Sequence, residues 1–214
     1  MPAVQSAWFV SSCDFKPNFK KMFSAPRPMP LTMASSPSPS SVLFLCLGNI
    51  CRSPTAEAVF KATVEKKGAS ARYTIDSCGT GGGANGWYKP GGFSYHEGEA
   101  ADSRMTTTAA KRGVRLTSRS RPLRPDDITL YDTMCCMDEA NVRAVRTAVD
   151  YWVQTGMIDA RQAETCRVVK MTNFLQSREL AGKFDEVPDP YYSGQAGFEL
   201  VLDLLEDACE GLVR

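Results

Sequence analysis

From Val42 to Leu45 the chain is apolar without interruption and then stops at Cys46. A short continuous run of this kind is the pattern of a strand buried on both faces of a parallel sheet. Ser53-Pro54 then reads as the cap and first position of a helix over roughly 53–67, with Glu57 extending an acidic first turn and Lys66-Lys67-Gly68 supplying a basic end and a glycine stop. Further along, Tyr73–Cys78 predicts a second strand, Leu130–Met137 a third and Arg167–Met171 a fourth. Between them, a helix opens at Asp102 and ends at Lys111-Arg112-Gly113. Another, capped by Asp138, runs from Glu139 to about Val149 with Val142, Val145 and Val149 on one face. A closing helix spans 195–212 on the stripe Phe198, Val201, Leu202, Leu205, Cys209 and Leu212, while Tyr151–Thr165 reads as a loop with one helical turn. Strands alternating with helices predict an α/β fold, a four-stranded parallel doubly wound sheet with helices on both faces and a ligand at the strand C-termini.

The chemistry concentrates in the turn between the first strand and the first helix. Leu47, Gly48, Asn49, Ile50 and Cys51 close the gap, and Gly48-Asn49 tolerates the left-handed backbone that a tight turn needs. Backbone N–H groups converging at a helix N-terminus make an oxyanion site, and the same field favours a thiolate at Cys46. Arg52 brings a planar fork of donors suited to two phosphate oxygens, and Ser53 is placed to donate its hydroxyl to the sulfur.

Cys-x5-Arg-Ser is the signature of cysteine-dependent phosphatases, and Cys-Leu-Gly-Asn-Ile-Cys-Arg-Ser-Pro-Thr-Ala-Glu resembles the low-molecular-weight protein tyrosine phosphatases. Asp189-Pro190-Tyr191-Tyr192 matches a second motif of that family. The resemblance covers about residues 42–212. It implies hydrolysis of phosphotyrosine, in proteins or small aryl phosphates, through a cysteinyl-phosphate. Cys46 would be the nucleophile, Arg52 the phosphate grip and Asp189 the acid that protonates the leaving oxygen. It further implies that Ser77 braces the phosphate loop with Asn49 and Ser53, and that Cys51 protects Cys46 by a reversible disulfide. A loop bordering the substrate would make Trp87 and Tyr88 recognition side chains, with Tyr191 and Tyr192 walling the pocket. The family often carries a histidine in the bracing network, and here Ser118 stands at that place. Ser193 likewise stands where the family usually has glycine.

Gly79-Thr80-Gly81-Gly82-Gly83-Ala84 imitates a dinucleotide fingerprint, yet no helix pattern follows it, so no cofactor is expected. The single histidine, His96, has no partner at a metal-ligand spacing and reads as a solvent-facing side chain; no metal is expected, since the loop and Arg52 supply the positive field. Three alternatives stay open. An arsenate reductase on the same fold would need a third thiol, for which Cys78 is the candidate nearest in sequence. A phosphoarginine phosphatase tends to carry threonine at the position of Ile50. A noncatalytic phosphate-binding or redox-sensing module would have no use for Cys46, Arg52 and Asp189 together.

Composition adds limits. With 214 residues, 43% hydrophobic content and formal charge +1, the chain bounds one domain, residues 42–214, with no nucleic-acid footprint and no membrane-spanning run. Residues 1–41 hold Lys16, Lys20, Lys21 and Arg27 against Asp14 and end in a serine-proline tract. That is the composition of a disordered extension and of an organelle transit peptide, leaving cytoplasm or plastid as the expected location. Eight cysteines without a secretory signal read as free thiols. Oligomeric state has no signal in the sequence.

Overall fold

The structure, a computed structural model, describes residues 40–213. The expected extension, with its transit-peptide composition, lies outside the described residues except for Ser40 and Ser41, which instead open the first strand. In chain order the elements are β1 (Ser40–Cys46), α1 (Arg52–Lys66), β2 (Tyr73–Gly79), α2 (Ser103–Lys111), α3 (Asp127–Leu130), β3 (Thr133–Cys136), α4 (Glu139–Gln154), α5 (Ala160–Thr165), β4 (Arg167–Lys170), α6 (Arg178–Lys183) and α7 (Gly194–Leu212). The four strands pair in parallel in the order β2-β1-β3-β4. The chain therefore leaves β1 for one neighbour and returns to the other side of it, so the C-terminal end of β1 lies at the switch point where open α/β sheets bind ligands.

Strand pleating sorts the central strand between two cores. Val42, Phe44 and Cys46 face a cluster built with α1, α2 and α7, while Leu43 and Leu45 face a second cluster built with α4 and Trp152. On the first side Phe60 stands edge-on to Phe44, with ring centroids 5.6 Å apart, and to Tyr73 at 5.2 Å. These contacts seat α1 against the sheet and so set where its N-terminus points.

Several sequence expectations shift. Residues 127–130 form a helical turn, with Asp127 accepting from the Arg124 backbone N–H at 2.8 Å, and β3 is confined to Thr133–Cys136. Helix α4 continues to Gln154 because Trp152 is buried and donates to the Tyr88 carbonyl at 2.7 Å; the remainder of the expected loop contains α5. Helix α6, capped by Ser177, was not signalled by an apolar stripe.

The glycine-rich segment after β2 also finds its physical reason. Gly81 has φ +87°, and a Cβ there would strike the Trp87 ring. Trp87 and Tyr88, expected as recognition side chains, are half-buried and do not line the pocket that holds Cys46. They pack edge-on with each other at 5.5 Å, and against Trp152 and Tyr151 at 6.3 and 5.4 Å, on the α4 face of the sheet. Trp87→Ala is expected to lower unfolding stability by about 2 kcal/mol, somewhat less than for a fully buried ring, with unchanged KM for a small aryl phosphate. Urea unfolding beside steady-state kinetics checks both halves.

Candidate active site

Cys46 ends β1, and the turn from Leu47 to Cys51 returns the chain to the start of α1. Asn49 takes the left-handed conformation at φ 52°, which asparagine tolerates better than most residues. Its buried side chain holds the turn together. The backbone N–H of Asn49 donates to Cys46 Sγ at 3.2 Å. Its Nδ2 donates to Ser53 Oγ and to Ser77 Oγ, each at 2.9 Å, while Oδ1 accepts from the Arg121 N–H at 2.9 Å. Ser77 in turn donates to the buried Glu57 carboxylate at 2.6 Å. Since Asn49 already donates to Ser53 Oγ, the serine proton is left for Cys46 Sγ at 3.0 Å or the Cys78 carbonyl at 3.3 Å. Hydrogen bonds to the turn's carbonyls also come from outside it, among them Ser120 Oγ to Gly48 at 2.9 Å, Gly82 N–H and Thr80 N–H to Leu47 at 2.8 and 3.0 Å, and Asp102 N–H to Ile50 at 2.7 Å.

Arg52 is 4% exposed and makes three side-chain hydrogen bonds. Its Nη1 donates to Asp138 at 2.7 Å and to the Val187 carbonyl at 3.0 Å, and its Nη2 donates to Asp189 at 3.2 Å. Burial alone would lower the guanidinium's pKa, but the negative charges of Cys46, Asp189 and Asp138 outweigh it and raise the value. The Cys51 thiol is also raised, for a different reason: burial first, then the charges of Cys46, Asp102 and Asp189, push it up against the opposing charge of Arg52, so it stays protonated at neutral pH. Asp189 sits in a loop turn, its carboxylate also accepting from the Tyr191 N–H at 3.1 Å. Arg104 anchors this loop. Its Nη1 donates to the Tyr191 carbonyl at 3.1 Å, and its guanidinium lies 4.8 Å from the Tyr191 ring and 5.0 Å from Phe198. Asp102 holds Arg104 at 2.7 Å, so one residue pair touches both the turn at Ile50 and the loop at Tyr191.

Together these groups enclose a pocket of about 240 Å³ with Cys46, Arg52 and Asp189 in its wall and Leu47, Tyr191 and Tyr192 at its rim. The profile of the low molecular weight phosphotyrosine protein phosphatases matches residues 41–214. This chain belongs to that family. A Synechocystis sp. protein provisionally named a low molecular weight protein-tyrosine-phosphatase is 40% identical over 80% of this chain and 93% of its own length. The low molecular weight protein-tyrosine-phosphatase of Streptomyces coelicolor is 37% identical over 80% and 90%. Among solved structures, a protein tyrosine phosphatase from Entamoeba histolytica with Hepes in the active site matches at TM-score 0.65 and 38% identity, over 81% of this chain and 94% of that one.

Within this low molecular weight phosphatase fold, the structure brings Cys46, Leu47, Gly48, Ile50, Cys51, Arg52, Asp189, Tyr191 and Tyr192 to one pocket, with Asn49, Ser53 and Ser77 directly behind it. Four readings change. Ser53 lies inside α1, whose cap position is Cys51, and its hydroxyl serves the sulfur instead of the helix end. Glu57 is not a first-turn acid; one helical turn beyond Ser53, it reaches the same side of α1 and orients Ser77. Ser118 takes no part in the bracing, which comes from Ser120 and the Arg121 backbone. His96 is not simply solvent-facing, for it lines the pocket beside Gly48 while its Nδ1 lies 2.8 Å from Glu99.

Asp138 was legible only as the α4 cap; that its second oxygen holds Arg52 had no local signal. Arg104 touches none of the three central groups and acts through the loop that carries Asp189. Arg104→Ala is expected to cut turnover of an aryl phosphate with a poor leaving group by roughly 10-fold, and to spare p-nitrophenyl phosphate. Arg104→Lys, keeping the charge and one donor, should recover part of the loss. A leaving-group series of kcat checks this, because a general loss of folding would slow all esters alike.

Proposed function

We propose that this chain hydrolyses phosphotyrosine in proteins and small aryl phosphates by way of a phosphocysteine. The observation that carries the reading is the convergence of Cys46 Sγ, the Arg52 guanidinium and the Asp189 carboxylate on one pocket at the N-terminus of α1. Cys46 Sγ attacks phosphorus in line as the P–O bond to the tyrosine breaks. Arg52 and the loop amides carry the charge on the equatorial oxygens. Asp189 gives its proton to the departing phenolic oxygen, then takes one from the water that cleaves the S–P bond. As that bond breaks, Ser53 donates to the sulfur that leaves. The pocket lining supports the preference for an aryl ester. Cys46 is 3% exposed while Leu47, Tyr191 and Tyr192, which line the same pocket, are exposed, so a flat aryl group reaching the sulfur would pass between apolar and aromatic side chains.

The arsenate alternative loses its third thiol. Cys78 is fully buried in the cluster on the opposite face of the sheet from Cys46, and burial pushes its thiol well up. The test is steady-state hydrolysis of phosphotyrosine, phosphoserine and phosphoarginine without added metal, alongside arsenate reduction. Selective phosphotyrosine turnover that vanishes in Cys46→Ser is expected; Asp189→Ala should slow phenyl phosphate by roughly 10²–10⁴-fold and p-nitrophenyl phosphate much less. Turnover that persists in Cys46→Ser would remove the cysteine mechanism.

Cys51 supports a reversible protection of the nucleophile. Peroxide converts Cys46 to a sulfenic acid, and the Cys51 thiol displaces its hydroxyl as water to form a disulfide, which an external thiol reduces. Oxidation of Cys46 also removes one of the charges that keep the Cys51 thiol protonated. Activity lost to brief peroxide treatment is expected to return with dithiothreitol in the parent and not in Cys51→Ser; equal recovery would end this role.

A further inference from the structure

The buried face of α1 carries one charge that the reaction steps do not use. Glu57 is 4% exposed, and both of its oxygens are engaged: one accepts from Ser77 Oγ at 2.6 Å and the other from Lys61 Nζ at 2.5 Å. Lys61 lies on the next turn of the same helix, with 51% of its side chain in solvent. A glutamate one turn before a lysine is a common pairing on helix surfaces and contributes little there. Here the carboxylate is interior, and a buried charge that loses its partner is costly. Among the described residues Lys61 is the only cation paired with it. A cleft of about 220 Å³ runs along this side of α1, lined also by Glu65, Arg115 and Ser118, and none of those three bonds to Glu57.

From Glu57 a line of hydrogen bonds runs to the nucleophile, and its polarity is fixed. The Arg121 N–H holds Asn49 Oδ1, so Nδ2 turns toward Ser77 and Ser53 and spends one proton on each. Both serines then accept from Asn49 and must give their own protons elsewhere. Ser77 gives its proton to Glu57, and Ser53 has Cys46 Sγ at 3.0 Å. An ionised carboxylate can only accept, which is what Ser77 requires of it. A protonated Glu57 could donate into Ser77 and turn the serine's proton against the Asn49 amide, breaking the line at its second link. An ionised Glu57 without Lys61 would instead leave a full negative charge behind the turn in which Cys46 must become a thiolate. Either outcome works against the thiolate.

We propose that Lys61 is a positioning residue for Cys46: by pairing with Glu57 it keeps that carboxylate ionised and its charge neutralised, and through Ser77, Asn49 and Ser53 it sets how readily the sulfur ionises. The inference rests on the reading of Cys46 as the nucleophile. Lys61 does not line the phosphate pocket, so its whole effect passes through the bracing network.

The test follows the loss of p-nitrophenyl phosphate turnover by the full chain under iodoacetamide across a range of pH, counting only the rate that inorganic phosphate protects against, which reports the thiol in the pocket. Lys61→Met keeps the stem and removes the charge. It should raise the midpoint of the profile by roughly 0.5–1 pH unit and slow inactivation below the midpoint roughly 3- to 10-fold. Lys61→Arg, which keeps the charge, should hold the midpoint near that of the parent. In a Glu57→Gln background Lys61→Met should have no further effect, because no charge is left to neutralise. Unfolded molecules have no turnover to lose, so a fall in stability alone leaves the midpoint in place. An unmoved midpoint in Lys61→Met, an equal shift in Lys61→Arg, or a shift that persists in full beside Glu57→Gln overturns the positioning role. Absence of turnover in the parent overturns the reading of Cys46 itself, and the role of Lys61 with it.

Discussion

The hydrogen bonds of the Asn49 side chain are what the rest of the site depends on. A turn of five residues between a buried strand and a buried helix leaves its carbonyls pointing away from the pocket so that its amides can face it, and each outward carbonyl must find a donor elsewhere. Ser120, Gly82 and Asp102 supply those donors, and Asn49 spans the interior, joining the turn to α1 through Ser53, to β2 through Ser77 and to the segment before α3 through Arg121. Each such bond contributes about 1 kcal/mol net, yet the cost of leaving its partner unpaired in the interior is larger, so the network holds as a unit. The left-handed backbone at Asn49 persists because all of these contacts over-determine it.

The second constraint is the placement of one fixed positive charge. Arg52 is buried at the start of α1, and a lone buried guanidinium is costly. Asp138 from the cap of α4 and Asp189 from the loop before α7 offset that cost, and in doing so tie two distant parts of the chain to the phosphate turn. Function and folding are coupled here. The arginine that would grip phosphate is the same group that brings the Asp189 loop over the pocket, and Arg104 holds the other end of that loop through Tyr191. Asp189 is thus held at the pocket wall while remaining half-exposed.

Much of this was legible in the residues. The apolar run before Cys46, the turn that follows it and the helix after it specify their own conformations through short-range effects: strand burial, tolerance of a left-handed residue, helix periodicity. The same holds for the basic, glycine-terminated ends of α1 and α2 and for the Asp138 cap of α4. Short-range signals were weaker where tertiary packing decided the outcome. Trp87 and Tyr88, adjacent to a glycine-rich loop, have the composition of recognition residues and pack, half-buried, against the core because Gly81 leaves room for an indole beside Trp152. Ser53 has the chemistry of a helix cap, and a sulfur 3.0 Å away claimed its hydroxyl instead.

The sequence by itself determined the fold class, the order of elements and the turn that brings Cys46 and Arg52 to one pocket, because periodicity, turn chemistry and the Cys-x5-Arg spacing are all local. Only the tertiary structure decided which partners surround those groups. The carboxylates on Arg52 come from 86 and 137 residues away, the donor to Gly48 from 72, and the carboxylate behind Ser77 lies 20 residues back along the chain. Such pairings follow from how the helices pack against the sheet, and that packing is set by the summed burial of side chains distributed over the whole domain. No window of the sequence short enough to have a pattern of its own contains them.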